Sequence, residues 1–233
     1  MLIAIEGIDG AGKGTQARQL LERVRKLGYS AKLVAFPRYE DTHSSRMVAA
    51  YLNGEFGSLR EVPPAFAATL FALDRMESRS HLEEMQNNHE LVIVDRYVSS
   101  NLAYQSARIS IPERTVFAEW LLDLEYGVYG LPKPDLTFFL DIPAVTSKKM
   151  VALKETRAYT KDVHDLHEQN STYLSNVRKV YHWLISLHIL DPCCIIQCHN
   201  NGGALREIDN IGQEICDLVV RQINTHEGIC AEN

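Results

Sequence analysis

Cysteine is absent from the first 192 residues of this 233-residue chain. All five copies lie in the last fifth, as Cys193, Cys194, Cys198, Cys216 and Cys230. With His199, the first three could be interpreted as zinc ligands, but the C-C-x₃-C-H spacing does not fold readily around a tetrahedral ion, and no second cysteine pair balances it. We therefore favour small apolar side chains packed in a buried strand, in a protein of a reducing compartment, over a zinc site.

Long apolar runs, an excess of basic charge, internal repeats and low-complexity tracts are also missing. Without about 18 consecutive apolar residues, the sequence predicts no membrane span. The 24 basic and 30 acidic residues give a net charge of −6, which argues against a surface that coats nucleic acid. The chain enters an apolar strand at once, without a signal peptide, so we expect a cytoplasmic protein. No stretch resembles a linker, and residues 1–233 are predicted to form a single α/β domain.

A glycine-rich turn separates the first predicted strand, residues 2–5, from an amphipathic helix that begins near Gln16. Such turns bind phosphate because backbone N–H groups converge on the anion, the helix start adds positive potential, and the lysine reaches the outer phosphates. The predicted phosphate-binding residues are Gly7, Gly10, Ala11, Gly12, Lys13, Gly14 and Thr15. The usual motif has a hydroxyl directly after the lysine, where Gly14 stands here. A glycine-rich turn with a surface lysine is the alternative interpretation.

Strands alternate with helices along the rest of the chain. The predicted strands are residues 31–36, 91–94, 136–140 and 194–197. This alternation predicts a three-layer α/β/α fold with a five-stranded parallel sheet and right-handed crossovers. Arg38, Asp95 and Asn101 would then gather with the phosphate loop at the carboxyl edge of the sheet, where ligands bind in such folds.

Phe71 and Arg75 lie four residues apart on a predicted helix spanning residues 63–85, so they share a face. A flat apolar ring and a planar cation suit a base and a nearby phosphate. Equally, Phe71 could belong to the core, with Arg75 as a solvated partner of Asp74 or Glu77. Asp95, at the tip of a strand, is typical of a residue that holds Mg²⁺ directly or through water.

Residues 146–164 lose apolar periodicity and become basic. This run is interpreted either as a solvated helix face or as a mobile lid that closes over a nucleotide.

Four blocks of sequence resemble the thymidylate kinase family, in that family's order and spacing. They are Glu6 to Lys13, Phe36 to Tyr39, Leu70 to Arg75 and Val94 to Gln105. The resemblance covers most of residues 1–185. It implies the P-loop fold of nucleoside monophosphate kinases, transfer of the γ-phosphoryl group of ATP to dTMP in dTTP synthesis, a requirement for Mg²⁺, and a homodimer.

The resemblance also assigns roles by position. Phe71 would stack on thymine, Arg75 and Asn101 would contact its polar edge, and Tyr104 would crowd the 2′ side of the sugar. Arg38, Tyr39 and Arg96 would hold the acceptor phosphate, and Phe36 would also belong to the dTMP site. Lys13 and Thr15 would serve the ATP phosphates, Asp9 the sugar 3′-hydroxyl and the metal, Asp95 the metal, and Glu168 the ligand side of the helix after the lid. The predicted catalytic set is Lys13, Asp9, Arg96 and Arg157.

Two departures from the family pattern leave alternatives open. Gly14 replaces a Ser or Thr, as in adenylate kinases, and Arg157 is the only arginine between residues 146 and 164. We expect Arg157 to be the main lid catalyst, with lysines as point charges around it. The alternatives are a kinase of another monophosphate, such as dUMP or AMP, and a non-catalytic nucleotide-binding protein.

Overall fold

Five parallel strands form the centre of the fold in the computed structural model, which describes residues 1–39, 41–152, 171–190, 192–200 and 202–231. The strands are β1 (Leu2–Glu6), β2 (Ala31–Ala35), β3 (Leu91–Asp95), β4 (Leu136–Asp141) and β5 (Cys193–Gln197). They lie in the order β2-β3-β1-β4-β5, with every pairing parallel. The predicted fold class is confirmed, and each predicted strand falls within a residue or two of the observed one.

Helices connect the strands. They are α1 (Lys13–Lys26), α2 (His43–Leu52), α3 (Pro64–Glu77), α4 (Arg79–Asn88), α5 (Val98–Ser106), α6 (Arg114–Leu122), α7 (Ala144–Ala152), α8 (Ser171–Ser186) and α9 (Ile208–Ala231). A 3-10 turn at Ile111–Glu113 precedes α6, and a π-helical segment at Asp123–Val128 follows it. Among the described residues, no helix combines the length and the apolarity that crossing a membrane requires.

The expectation of one helix over residues 63–85 is wrong, because α3 ends at Glu77 and α4 begins at Arg79. Ser78 lies between them, and its hydroxyl donates to the carbonyl oxygen of Asp74 at 2.9 Å. A serine that bonds back to the preceding turn competes with the helical ladder and often bends the helix. The boundary between α3 and α4 falls just after the residues that carry the predicted base contacts.

The middle of the sheet is buried on both faces. Every residue of β1 and β4 is buried, as are the first four residues of β3. Continuous apolar strands of this kind are expected where helices cover both faces of a parallel sheet. Because β1 is the central strand, the loop that follows it opens at the middle of the carboxyl edge.

One buried carboxylate joins β1 to two helices. Glu6 is 0% exposed and accepts hydrogen bonds from Tyr97 N at 2.7 Å, Ser100 Oγ at 2.6 Å and Tyr181 OH at 2.9 Å. A buried charge is tolerated only when it is well hydrogen-bonded, and three donors meet that need. Glu6 thereby fixes the start of α5 and the middle of α8 against the end of β1.

A second carboxylate, at the end of β4, holds α8. Asp141 accepts from Arg178 Nε at 2.5 Å and Nη2 at 2.9 Å, and His182 Nε2 lies 3.1 Å from its Oδ2. Burial by itself would raise the pKa of Asp141, but the hydrogen bond and charge of Arg178 outweigh burial and lower it. The folded protein therefore favours the ionised form of this side chain.

We expect Asp141→Asn to weaken the dependence of the unfolding free energy on pH in the acidic range. Since the native pKa of Asp141 lies below its unfolded value, its contribution is complete above the unfolded pKa and is lost as the pH falls through the native pKa. The variant should lose about 1–3 kcal/mol of unfolding free energy near neutral pH, with the deficit shrinking towards pH ~2. Urea titrations across this range measure it, with Asp217→Asn, at an exposed position, as the control. A deficit that stays constant with pH would contradict this assignment.

Candidate active site

The loop between β1 and α1 has the geometry of a phosphate-binding loop. Gly7 has φ +150°, and a Cβ there would lie 2.9 Å from the carbonyl oxygen of Leu140, so only glycine lets the loop pass this close to β4. Gly12, at φ +89°, is the left-handed residue that starts α1. Lys13 Nζ donates to the carbonyl oxygens of Gly7 at 2.9 Å and Ile8 at 2.8 Å. The ammonium group is thus held over the loop, at the positive end of α1.

Gly14 makes room for the carboxylate of Asp95. A Cβ at position 14 would lie 2.8 Å from Asp95 Oδ2 and 3.5 Å from Arg18 Nη1. A Cβ atom does not approach another heavy atom to 2.8 Å, so a larger residue at position 14 would have to displace the carboxylate. The departure from the usual motif therefore has a structural reason, because the first turn of α1 and the tip of β3 meet at this point.

The same carboxylate fits the magnesium requirement. Within the described part of the chain, Asp95 Oδ1 is buried and has no hydrogen-bond partner. A buried carboxylate oxygen without a partner is costly unless a cation or an ordered water satisfies it. Mg²⁺ prefers oxygen ligands and keeps several waters, so one carboxylate beside the phosphates is enough to hold it.

Asp9, Arg96 and Tyr104 form a cluster beside the loop. Asp9 is 4% exposed, pairs with Arg96 Nη2, and accepts from Tyr104 OH at 2.8 Å. The Arg96 guanidinium also lies over the Tyr104 ring, 5.7 Å from its centroid. Burial by itself would lower the pKa of Arg96, but the carboxylate of Asp9 outweighs burial and holds it well above the ordinary value. The cation therefore stays charged at every physiological pH.

The backbone at Arg96 is strained. Its φ is +66°, a left-handed conformation that residues other than glycine rarely adopt. Arg96 N donates to the carbonyl oxygen of Ile5 at 3.1 Å, which holds the residue at the junction of β1 and β3. Strained residues of this kind concentrate at functional sites, where the surrounding structure holds them in place.

A second buried polar cluster lies nearer the start of α5. Arg75 is 2% exposed, and its Nε and Nη2 donate to Glu125 at 2.5 and 2.6 Å. Asn101 Nδ2 donates to the same carboxylate and to the carbonyl oxygen of Ala68, each at 2.9 Å. Burial tends to lower the pKa of Arg75, but the charge and hydrogen bonds of Glu125 raise it. The expectation that Arg75 might be a solvated partner of Asp74 or Glu77 is wrong, since it is buried and paired with Glu125.

The other predicted contacts lie at the end of β2, in the loop after it and on α3, and with the two clusters they are the side chains predicted to line a crevice. Arg38 N donates to Asp74 Oδ2 at 3.0 Å, and its guanidinium pairs with Asp41 at 3.0 Å. The remaining aromatic positions are a buried Phe36, a partly buried Tyr39 and a partly buried Phe71. Arg157, Glu168 and residues 153–164 of the predicted lid lie outside the described residues, so their roles stay predictions.

Sequence reasoning missed Glu125 and Ser147. Glu125 lies 50 residues from Arg75, and no motif marks it. Ser147, on α7, donates its hydroxyl to the carbonyl oxygen of Asp9. One signal was available, because a buried arginine requires a carboxylate partner, but only the folded chain shows which one.

Four of the C-terminal cysteines lie in β5, directly after it, or in α9. Cys193 and Cys194 are partly buried, while Cys198 and Cys216 are buried. Burial raises the pKa of Cys198 to about 12, so the folded protein favours its neutral thiol. Across the described residues, no group of three or more His, Cys, Asp or Glu side chains is placed to hold a metal ion.

A parallel sheet in this order, with a phosphate loop after its central strand, is the P-loop fold of nucleoside monophosphate kinases. The family model for thymidylate kinase matches residues 5–196, and the chain belongs to that family.

Three comparisons illustrate the relationship. A thymidylate kinase from Mycobacterium tuberculosis is 42% identical over 144 residues, which are 62% of this chain and 67% of that protein. The human thymidylate kinase is 30% identical over 156 residues, 67% of this chain and 68% of its own length. The structure of thymidylate kinase from Candida albicans superposes with a TM-score of 0.72 at 24% identity, covering 96% of this chain and 92% of that one.

Gly14→Ala tests the contact with Asp95. Alanine favours the helix by about 0.5–1 kcal/mol over glycine, so we expect unfolding free energy that is unchanged or slightly higher. The added methyl group displaces the carboxylate, and affinity for Mg²⁺-ATP should fall by roughly tenfold, about 1.4 kcal/mol. Calorimetric titration and urea denaturation measure the two effects.

A double-mutant cycle supplies the control. If alanine acts through the carboxylate, Gly14→Ala should change nucleotide affinity little once Asp95→Asn is present. Additive losses would show that the methyl group acts elsewhere.

Proposed function

We propose that this protein transfers the γ-phosphoryl group of ATP to the 5′-phosphate of dTMP, giving dTDP and ADP, in one domain of residues 1–233. The observation that carries the proposal is the placement of two clusters on one helix. Asn101, at the start of α5, belongs to the buried Arg75 cluster, and Tyr104, one turn later, belongs to the Asp9 and Arg96 cluster. The residues proposed to contact the base and those proposed to bind the phosphate are thereby held at a fixed separation.

The residues of the crevice suit the two anions that the proposed reaction brings together, the phosphates of ATP and the 5′-phosphate of dTMP. Phosphoryl transfer needs little covalent chemistry from the protein; it needs alignment and cancellation of negative charge. Lys13 would bind the donor phosphates, while Arg96 and Arg38 would bind the acceptor phosphate. Each arginine already faces a carboxylate, Asp9 or Asp41, which orients its donors.

Tyr104 and Asp9 would shape the sugar site. Tyr104 is 4% exposed and held at side chain and backbone, since its hydroxyl donates to Asp9 and its backbone carbonyl oxygen accepts from Tyr173 OH at 2.6 Å. A rigid ring on the 2′ side of the sugar would favour deoxyribose over ribose. Burial, with the charge of Asp9, holds the pKa of Tyr104 well above its ordinary value, so the hydroxyl remains a donor.

Magnesium and the lid complete the proposal. Mg²⁺, bound with ATP, would neutralise charge on the β- and γ-phosphates, and Asp95, with Asp9, would hold it or its waters. Arg157 is proposed as the lid arginine and Glu168 as a contact on the dTMP side, by resemblance alone.

A coupled assay of ADP release tests the reaction with dTMP, dUMP, dCMP, dGMP and AMP as acceptors. We expect the highest kcat/KM with dTMP, weaker use of dUMP, and little use of AMP. A preference for AMP would overturn the assignment of the acceptor. Tight binding of dTMP and ATP without turnover in Mg²⁺ would instead establish a non-catalytic nucleotide-binding protein.

A homodimer is also proposed, supported by apolar side chains on two helices that pack on α5. Phe66 and Met76 on α3 are 46% and 37% exposed, and Val116 and Trp120 on α6 are 69% and 40% exposed. Exposed apolar side chains are common at interfaces between subunits, and aromatic residues are enriched at the centres of such interfaces.

Sedimentation equilibrium measures the assembly. We expect a mass near twice 26.4 kDa for the wild type. Trp120→Lys should shift the protein towards the monomer, because a lysine cannot be buried at the interface without losing its hydration. Leu27→Lys, an exposed position at the end of α1, is the control and should leave the mass unchanged. A wild type that sediments as a monomer would contradict the proposal.

A further inference from the structure

Glu125 connects the two side chains that would read the base. It is 0% exposed and lies in the π-helical segment after α6. Its Oε2 accepts from Arg75 Nε, and its Oε1 accepts from both Arg75 Nη2 and Asn101 Nδ2. Glu125 thus makes three charge-assisted hydrogen bonds to the two predicted base contacts.

These bonds fix the direction of the Asn101 amide. Its Nδ2 faces two groups that can only accept, the Glu125 carboxylate and the carbonyl oxygen of Ala68. A flipped amide would place Oδ1 against both acceptors and leave Nδ2 where Oδ1 now lies. Asn101 Oδ1, in the observed direction, is buried and has no hydrogen-bond partner among the residues that the structure describes. It is therefore an acceptor aimed away from Glu125.

Glu125 fixes Arg75 in the same way. The guanidinium is planar, and Glu125 occupies the edge formed by Nε and Nη2. Nη1 lies on the opposite edge and supplies a donor directed away from Glu125. Beyond their bonds to Glu125, Arg75 thus presents a donor and Asn101 an acceptor.

That pair complements one kind of base edge. Thymine and uracil present a carbonyl acceptor next to a ring N–H donor. Cytosine presents an amine donor next to a ring nitrogen acceptor, so both contacts would be reversed. A site built from buried hydrogen-bonding groups strongly rejects a ligand that leaves them unpaired.

We propose that Glu125 is a positioning residue that sets the hydrogen-bond polarity of Arg75 and Asn101, and thereby makes the site reject cytosine deoxynucleotides. This inference rests on the proposed function only in taking this crevice as the site of the pyrimidine monophosphate. The acceptor's base is selected by a carboxylate that never touches it.

Paired substrates test the proposal on the intact protein. dUMP and dCMP are the same size and differ only at the base edge in question. Their relative affinities, measured by equilibrium dialysis, and their relative kcat/KM values therefore report the hydrogen-bond polarity of the site. For the wild type we expect at least about a 100-fold preference for dUMP. Comparable binding of dUMP and dCMP would overturn the proposal without any variant being made.

Glu125→Gln is the main variant. Glutamine has the same shape but supplies an amide N–H that allows Asn101 to flip. We expect kcat/KM for dTMP and dUMP to fall by roughly tenfold or more, the preference for dUMP over dCMP to narrow by at least about tenfold, and KM for ATP to stay within about twofold. Equal losses for dUMP and dCMP would show a merely structural role and overturn the proposal.

Two further variants complete the design. Glu84→Gln makes the same chemical change at an exposed position on α4 and should leave every parameter unchanged. Glu125→Asp keeps an acceptor and should keep most of the preference for dUMP while lowering overall efficiency. If Glu125→Gln does not fold, loss of the preference in Glu125→Asp would overturn the proposal, and its retention would support it.

The same experiments distinguish failure of the proposed function from failure of the proposed role of Glu125. A wild type that binds dUMP over dCMP but phosphorylates neither dTMP nor dUMP would refute the reaction while supporting the polarity of the site. A wild type that phosphorylates dTMP while Glu125→Gln keeps its full preference for dUMP would refute only the role of Glu125.

Discussion

The parallel pairing of β1 with β3 sets Ile5 opposite Asp95, and Arg96 N continues the ladder by donating to the carbonyl oxygen of Ile5. Because parallel strands end at the same edge of a sheet, the phosphate loop after β1 emerges beside the residues that end β3. Gly14 and Asp95 meet there, and so do Asp9 and Arg96. A shift of one residue in this register would turn Asp95 to the other face and separate both pairs.

Buried carboxylates then hold the surrounding helices at this edge. Glu6 fixes α5 and α8, Asp141 fixes α8 to β4, and Glu125 fixes α3 to α5 through Arg75 and Asn101. Each is costly to bury and is stabilised only by donors in a particular geometry. The arrangement is therefore specific, because a small displacement of any helix would leave a charge without its partners. These side chains are therefore positioned by the folded protein itself, and such preorganisation lowers the entropic cost of binding a ligand.

The fold class and the family could be predicted because local patterns carry them. Apolar runs at regular intervals marked the strands, and the glycine-rich turn marked the loop, since both depend on residues close together in the chain. The break at Ser78 was not predicted, because the pattern of apolar residues continues through it and only a local hydrogen bond interrupts the helix. The π-helical segment at Asp123–Val128 was missed for a similar reason, since an amphipathic pattern does not distinguish it from an α-helix.

By itself the sequence determined which residues stand at strand ends, where a loop can bind phosphate, and the family to which the chain belongs. It also showed that Gly14 departs from the usual motif, but not why. Tertiary structure alone decided that Gly14 makes room for Asp95, that Arg75 pairs with Glu125 rather than with Asp74 or Glu77, and that the Asn101 amide points its oxygen away from that pair. The physical reason is that these contacts join residues 24 to 81 positions apart, and buried charges select their partners by distance in space rather than in sequence.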